Sequence, residues 1–273
     1  MSKSSERVRS SFASGAKSTV ELRRSLAQTQ QQLQQEQESR ERAESMTHAV
    51  DDFLAVFSHE LRQPIAAALA AIEIQKHNTH PDRQERARRV IEQQVRYIAR
   101  LVGDLSEVSQ ISRGTLNMRF ERLDIRALIA ESVAMTEAIF EDRGHRVVCA
   151  LGEQPSWVVG DSVRLKQIFS NLLRNAAMYT PYGGQVRLIV DGDVSQVRIR
   201  IRDNGLGIPR HELQHIFELF NRGGKRSDGQ SAGIGLAVVR RLVELHRGTV
   251  TVSSDGAGCG SEFAVLLPRD LSS

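Results

Sequence analysis

The centre of the chain reads Gln167-Ile-Phe-Ser-Asn-Leu-Leu-Arg-Asn-Ala-Ala-Met-Tyr179, a stretch with the pattern of an amphipathic helix. Ile168 and Leu172 mark its apolar stripe, whereas Asn171 and Asn175 stand at i and i+4 on the opposite face. Neutral amide oxygens suit a magnesium ion that already carries phosphate oxygens and water. Taken alone, the same pattern also fits two exposed asparagines without a function.

Around this helix, short β-type runs alternate with amphipathic helical patterns from about residue 114 to the end of the sequence. This alternation predicts an α/β sandwich over residues 114–273, with helices on one face of a sheet. The predicted strands cover residues 116–123, 146–151, 185–190, 196–202, 249–253 and 262–267, and the predicted helices lie near 125–142, 162–178 and 233–246.

The region before this domain has the pattern of a coiled coil. Apolar and small residues step by four and three from Leu22 to Leu61, with imperfect positions at Glu36 and Arg40. This register predicts one long helix from about residue 20 to residue 77.

A second long helix is predicted after a turn that contains Pro81. Its apolar stripe runs from Ile91 to Val108, and the helix is expected to reach about Ile111. Each helix has one apolar stripe, so we expect the hairpin to form a four-helix bundle with a second copy. The predicted fold is therefore α+β, with an N-terminal coiled-coil segment (1–50), a dimeric helical hairpin (51–113) and an α/β sandwich (114–273).

Composition excludes several classes of function. The net charge is +4, but basic and acidic residues alternate, so a nucleic-acid partner is not expected. The longest apolar stretch, residues 65–74, is too short to cross a bilayer, and the N-terminus has no signal-peptide core. Cys149 and Cys259 lie far apart, which suggests a reducing compartment and no zinc site. We therefore expect no membrane contact from this chain and a cytoplasmic location.

The segment Phe57-Ser-His-Glu-Leu-Arg-Gln-Pro64 places a histidine on the exposed side of the first helix. The heptad register puts His59 at the solvent-facing f position, where an incoming phosphate can reach one ring nitrogen. Glu60 is placed to accept the proton of the other nitrogen, and Pro64 is expected to loosen the helix one turn further on. An ordinary surface histidine is the plain alternative.

Two glycine-containing segments follow in the α/β region. Asp203-Asn-Gly-Leu-Gly-Ile-Pro209 comes directly after a predicted strand, so its aspartate can accept a hydrogen bond from an adenine amine. Gly229-Gln-Ser-Ala-Gly-Ile-Gly-Leu236 opens a helix, whose N-terminus favours phosphate. Between them, residues 210–232 are predicted to form an aromatic-anchored helix and a mobile lid. Common turns and a solvated loop are the alternatives.

The order and spacing of these segments, over residues 50–268, resemble sensor histidine kinases of two-component systems. The resemblance implies a Bergerat-type ATP fold, ATP and Mg²⁺ as cofactors, a homodimer, and a response-regulator receiver domain as the partner. It implies that ATP phosphorylates His59, in cis or in trans, and that the phosphoryl group passes to an aspartate of the partner. The implied catalytic residues are His59, Glu60 and Gln63, and the implied metal ligand is Asn175, supported by Asn171. The remaining implied cofactor-binding residues are Tyr179, Asp203, Gly205, Gly207, Phe220, Arg222, Gly233, Ile234, Gly235 and Leu236.

Three positions depart from the family pattern. Gln63 stands where the family usually has Thr or Asn, a position linked to dephosphorylation of the partner. Met178 replaces a common cation, which removes one possible phosphate contact, and Ala232 replaces a frequent Gly or Thr. The alternatives are a degenerate kinase acting mainly as a phosphatase or scaffold, an ATP-driven conformational ATPase of the same fold, and a coiled-coil interaction protein. The ATPase class carries its working domains after the ATP domain, whereas this sequence stops at Ser273.

Overall fold

The computed structural model describes residues 55, 57–77, 80–218 and 233–271. The chain divides into two units, Met1–Ser58 and His59–Ser273, and the second unit holds the features described below. The predicted coiled-coil segment 1–50 lies outside the described residues, and so does the predicted lid over 219–232, with Phe220 and Arg222.

Two helices form the first part of the described chain. Helix α1 covers residues 57–77 and continues through Pro64. Helix α2 covers Pro81–Ser112, with His80 as the N-cap and proline at the first helical position, where its missing N–H costs nothing. The predicted second helix is therefore confirmed, within one residue at each end.

The remainder is an α/β sandwich, as predicted. Its elements are β1 (Glu121–Asp124), α3 (Ile125–Asp142), β2 (Arg146–Ala150), β3 (Trp157–Gly160), α4 (Ser162–Tyr179), β4 (Gln185–Gly192), β5 (Gln196–Asp203), α5 (Gly235–Leu245), β6 (Thr249–Ser253) and β7 (Ser261–Pro268). The main sheet has the order β2-β4-β5-β7-β6, in which β2 and β4 are parallel and the other pairs are antiparallel. Strands β1 and β3 form a separate antiparallel ribbon.

The central strand β5 shows why the sheet has one covered face. Val197, Ile199 and Ile201 are buried, and they alternate with arginines that point to the other side. Period-two alternation is what a sheet needs when only one face meets a helical layer. Helix α4 lies in the middle of that layer, since it contacts both α3 and α5.

Helix α4 is fixed by its apolar face and by its N-cap. Leu165, Ile168 and Phe169 are fully buried, and burial of each such side chain stabilises the fold by about 1.5–3 kcal/mol. Asp161 caps the helix by accepting hydrogen bonds from the N–H groups of Val163 and Arg164. The opposite face of α4 is thereby held towards the candidate site.

Two local predictions were wrong, and one strand was missed. The strand predicted over 116–123 is limited to Glu121–Asp124, because its partner β3 is only four residues long. Strand β3 itself was missed, since four residues are too few for a recognisable alternation. Residues 210–217 form successive turns instead of a helix, with separate three-residue hydrogen bonds such as His215 N–H to Glu212 O at 2.9 Å.

Every helix in the described ranges is too short or too polar to span a lipid bilayer.

Candidate functional site

His59 is exposed on α1, and its imidazole faces a carboxylate. The side chain of His59 is 59% exposed, whereas that of Glu60 is 1% exposed, and His59 Nδ1 lies 3.6 Å from Glu60 Oε1. This separation is an ion-pair distance, longer than a direct hydrogen bond. The other ring nitrogen, Nε2, can therefore attack an electrophile that approaches from the solvent side.

Tyr97 of α2 orients the buried carboxylate. Its hydroxyl donates a hydrogen bond to Glu60 Oε2 at 3.4 Å, and burial raises the pKa of Tyr97, so it stays a donor. The carboxylate is therefore held between Tyr97 and the imidazole of His59. Sequence reasoning missed Tyr97, which lies 37 residues from Glu60. Gln63 is exposed one helical turn beyond His59.

A cavity of about 110 Å³ lies in the α/β domain and collects most of the predicted nucleotide-binding residues. It is lined from α4, from the segment after β5, from the start of α5 and from β7. The predicted residues among its lining are Asn175, Tyr179, Asp203, Gly207, Gly233, Gly235 and Leu236. Lining residues that sequence reasoning missed are Ala176, Ile208, Glu212, Ile216, Ser261 and Phe263.

Asp203 is held at the end of β5 by three donors. Its Oδ1 accepts hydrogen bonds from the N–H groups of Gly205 at 2.8 Å and Ser261 at 3.3 Å, and its Oδ2 accepts one from Ser261 Oγ at 2.5 Å. A carboxylate offers about four acceptor sites, so one remains on Oδ2. A donor such as the exocyclic amine of adenine fits that free position. Ser261 was detectable only as part of the final Gly-Ser-Glu-Phe segment.

Two glycines allow the loop after β5 to pack against its neighbours. A Cβ at Gly205 would lie 2.4 Å from the carbonyl oxygen of Tyr179, and one at Gly207 would lie 2.0 Å from that of Gly256. Gly207 also has a φ of +67°, a conformation that side-chain-bearing residues rarely adopt. Gly205 therefore supports the cavity from outside, whereas Gly207 lines it.

The first turn of α5 lies at the cavity. Its N-cap, Ile234, has no side-chain cap, and the first turn carries no acidic residue. Gly233 and Gly235 line the cavity here and, having no side chains, leave room for a ligand. An uncapped helix N-terminus with a positive dipole end is suited to phosphate.

Two of the predicted nucleotide-binding residues, Asn171 and Ile234, do not line this cavity but lie next to it. Ile234 is buried, and a Cβ at Gly235 would lie 3.8 Å from Asn171 Nδ2. Asn171 and Ile234 line a second, smaller cavity beside the first, together with Asn175.

Helix α2 packs on the α/β domain next to this second cavity. Glu107 of α2 is buried and contacts both Arg164 and Gln167 of α4. Asp104 lies one turn earlier, and burial raises its pKa to about 6, against the opposing effect of Arg100. These contacts between polar side chains were not predicted.

The donor set at Asn175 fits a magnesium ion that arrives with nucleotide phosphates. Among the described residues, no group of three histidine, cysteine or acidic side chains forms a metal cage. Mg²⁺ commonly takes only one or two protein ligands and obtains the rest from phosphates and water. The amide of Asn175 lines the cavity beside the α5 N-terminus and can serve as such a ligand.

Two family models match the chain. Residues 160–271 match the "Histidine kinase-, DNA gyrase B-, and HSP90-like ATPase" family, and residues 49–114 match the "His Kinase A (phospho-acceptor) domain". The cavity of about 110 Å³ lies in the first region, and the exposed His59 lies in the second. The chain therefore has the two-domain organisation of a histidine kinase core, and it belongs to the sensor histidine kinases of two-component systems.

Sequence relatives and solved structures support the same family assignment. The sensor histidine kinase TrcS of Mycobacterium tuberculosis is 34% identical over 82% of this chain and 46% of its own length. The solved structure of histidine kinase AdeS of Acinetobacter baumannii is 25% identical, with a TM-score of 0.62 over 78% of this chain and 98% of that one.

A crystal structure of histidine kinase ThkA in complex with response regulator protein TrrA is 22% identical. Its TM-score is 0.61 over 80% of this chain and 61% of that one, which shows a shared fold. The chain spans about half the length of the first curated relatives that it matches.

Proposed function

We propose that this chain is an ATP-dependent protein histidine kinase that phosphorylates its own His59 and transfers the phosphoryl group to an aspartate of a response regulator. The observation that carries the proposal is the arrangement at His59. Its imidazole is exposed, while its Nδ1 faces a buried carboxylate that Tyr97 holds in place. An ordinary surface histidine has no need for an oriented carboxylate behind it.

The proposed reaction is an in-line displacement at the γ-phosphorus of ATP. His59 Nε2 forms a bond to phosphorus, the bond from phosphorus to the β–γ bridging oxygen breaks, and ADP leaves. Glu60 accepts the proton from Nδ1 as positive charge develops on the ring. Positioning and charge stabilisation provide most of the rate in phosphoryl transfer.

The nucleotide is proposed to bind with its adenine at Asp203 and its phosphates at the start of α5. Asn175 would hold Mg²⁺, which when bound offsets negative charge on the phosphates. Gly205 and Gly207 keep the loop close to the base, and Tyr179 lines the same wall. Phe220 and Arg222 remain predicted lid contacts.

We propose a homodimer as the working form. Several apolar residues on the two helices are exposed in the single chain, which is unfavourable in water unless a partner covers them. They are Ile65, Leu69 and Ile74 on α1, and Val90, Val95 and Val102 on α2.

We propose that the receiver domain of a response regulator is the second partner and that the chain acts in the cytoplasm. The complex of ThkA with a response regulator supports the choice of partner. Two free thiols, Cys149 and Cys259, suit a reducing compartment. A chain acting only as a phosphatase or scaffold is not favoured, because it would not require the oriented Glu60 beside an exposed histidine.

Incubation with γ-labelled ATP and Mg²⁺ tests the proposal. We expect acid-labile label in the native chain and none in His59→Ala or Asn175→Ala. His77→Ala is a matched control, since His77 is also exposed on α1, and its label should equal that of the native chain. Label that survives His59→Ala, or disappears in His77→Ala, would contradict the assignment of His59.

A further inference from the structure

A second cavity of about 40 Å³ adjoins the ATP cavity on the side of α2. This volume exceeds the 10–15 Å³ or so that one water molecule requires. The two cavities share Asn175 and Gly235 in their lining, but the second includes neither Asp203 nor Ser261. It therefore adjoins the phosphate end of the nucleotide site and not the end assigned to the base.

Two residues that line the second cavity have buried donors that lack acceptors. Asn171 and Arg174 line it, and each has a buried donor atom, Nδ2 and Nε respectively, without a hydrogen-bond partner among the described residues. Buried polar groups in native proteins are nearly always paired, so an acceptor that binds beside these residues would offer the two donors a partner.

The charges around the cavity favour an anion as that acceptor. Arg100 of α2 and Arg174 of α4 line it, and Asp104 is the carboxylate beside them. Two guanidinium groups against one carboxylate leave a net positive charge. Guanidinium groups bind phosphate oxygens through two parallel N–H bonds, which makes arginine well suited to a phosphate.

Arg174 is placed to supply the phosphate contact that Met178 cannot make. Arg174 and Met178 are four residues apart on α4, and both line the second cavity. A guanidinium one turn earlier reaches the same side of the helix as a cation at 178 would.

We propose that Arg174 and Arg100 form an arginine subsite that receives the terminal phosphate of ATP while α2 is packed on the α/β domain. This inference rests on the proposed ATP-binding function. The subsite assigns a nucleotide contact to the phosphoacceptor hairpin itself, through Arg100. It also predicts that the chain distinguishes three phosphates from two.

Binding of ADP and of a non-hydrolysable ATP analogue with a β–γ imido bridge, measured by calorimetry with Mg²⁺, tests the subsite. In Arg174→Gln we expect the affinity for the analogue to fall about tenfold or more, the scale of one lost hydrogen bond between charged groups. The affinity for ADP should change by less than about twofold, because ADP lacks the phosphate that the subsite receives.

Two further variants separate this role from a structural one. Asp104→Asn removes the opposing carboxylate and should raise the affinity for the analogue, the opposite direction to Arg174→Gln. Met178→Lys, added to Arg174→Gln, should restore the preference for the analogue. Lys166→Gln is the matched control, since it removes a positive charge from α4 at a residue outside both cavities, and it should bind like the native chain.

The outcomes distinguish this inference from the proposed function. An equal loss of analogue and ADP affinity in Arg174→Gln, or a lower analogue affinity in Asp104→Asn, would overturn the subsite and leave nucleotide binding intact. If the native chain binds neither nucleotide, both the subsite and the proposed function are refuted. Melting temperatures of the nucleotide-free variants show whether each one is folded.

Discussion

Asp203→Asn should change which purine the proposed nucleotide cavity prefers. The native carboxylate is an acceptor only, and three protein donors already occupy about three of its four acceptor sites. The remaining site suits the amine of adenine. Asparagine has one acceptor oxygen and one NH₂ group. Whichever way its amide is turned, the NH₂ group must face either the protein donors or the adenine amine, and both contacts are unfavourable.

The expected magnitude follows from the loss of one hydrogen bond to a charged acceptor. Such a bond contributes about 1.5–3 kcal/mol, which corresponds to about 10–150-fold in the dissociation constant of ADP. Inosine diphosphate carries a carbonyl where ADP carries the amine, so the native carboxylate should reject it. An asparagine that turns its NH₂ group to the base can donate to that carbonyl, and the preference for ADP should shrink by at least about tenfold.

Calorimetric titration of both nucleotides against the native chain and Asp203→Asn measures this effect. Ser261→Ala removes the Oγ donor to Asp203 while the acceptor for adenine remains, so its preference for ADP should persist. Asp193→Asn controls for the substitution itself, because Asp193 accepts hydrogen bonds in an exposed turn outside the cavity. If Asp203→Asn weakens ADP and inosine diphosphate equally, Asp203 does not contact the base.

Three other changes test separate parts of the chain. Glu60→Gln removes the basic group beside the imidazole and should lower the initial rate of autophosphorylation by about 10²–10⁴-fold with an unchanged KM for ATP; an unchanged rate would exclude Glu60 as the proton acceptor. Gln63→Ala should slow dephosphorylation of a phosphorylated receiver domain without altering autophosphorylation, and equal dephosphorylation rates would show that Gln63 positions no water. Buried His246 must donate from Nδ1 to the Leu242 carbonyl and accept at Nε2 from the Asp161 N–H, so it is neutral, and burial lowers its pKa below 6.5. As the pH falls, the unfolded chain therefore binds the proton before the folded chain does, and stability that is present above about pH 6.5 is lost. The melting temperature should fall more between pH 7.5 and 5.5 in the native chain than in His246→Gln. Equal falls would refute this role of His246.

Much of the α/β domain could be predicted because its local patterns agree with its packing. The strict alternation of β5 and the capped amphipathic pattern of α4 each specify one structure. Strand β3 could not be predicted, because four residues stabilised by pairing with β1 carry no independent signal. The turns over 210–217 were mistaken for a helix, since the phenylalanines suggested an aromatic anchor for one. Phe217 instead packs edge-on against Phe263, with ring centroids 6.3 Å apart.

The candidate site divides in the same way. Residues predicted to serve a ligand through their own chemistry, such as Asp203 and Asn175, could be named from the sequence, and both line the cavity. Residues that act through a distant neighbour were not found, because the contact exists only in the folded chain. Tyr97 meets Glu60 across two helices, and Ser261 meets Asp203 across two strands. The burial of Glu60 was also unexpected, because a glutamate beside an exposed histidine normally faces water.

Through the proposed arginine subsite, the packing of α2 on the α/β domain would connect the nucleotide to the phosphoacceptor hairpin. The proposed arginine subsite takes one side chain from α2 and one from α4, so a terminal phosphate bound there favours the packed arrangement. Binding linkage is reciprocal, and the packed arrangement must then favour ATP over ADP by the same factor. Loss of the γ-phosphate to His59 would remove this contribution and leave the contacts of Glu107 with Arg164 and Gln167 to hold the two parts together. The same reaction that phosphorylates the hairpin would thereby weaken its attachment to the ATP domain, at the stage when a receiver domain needs access to His59.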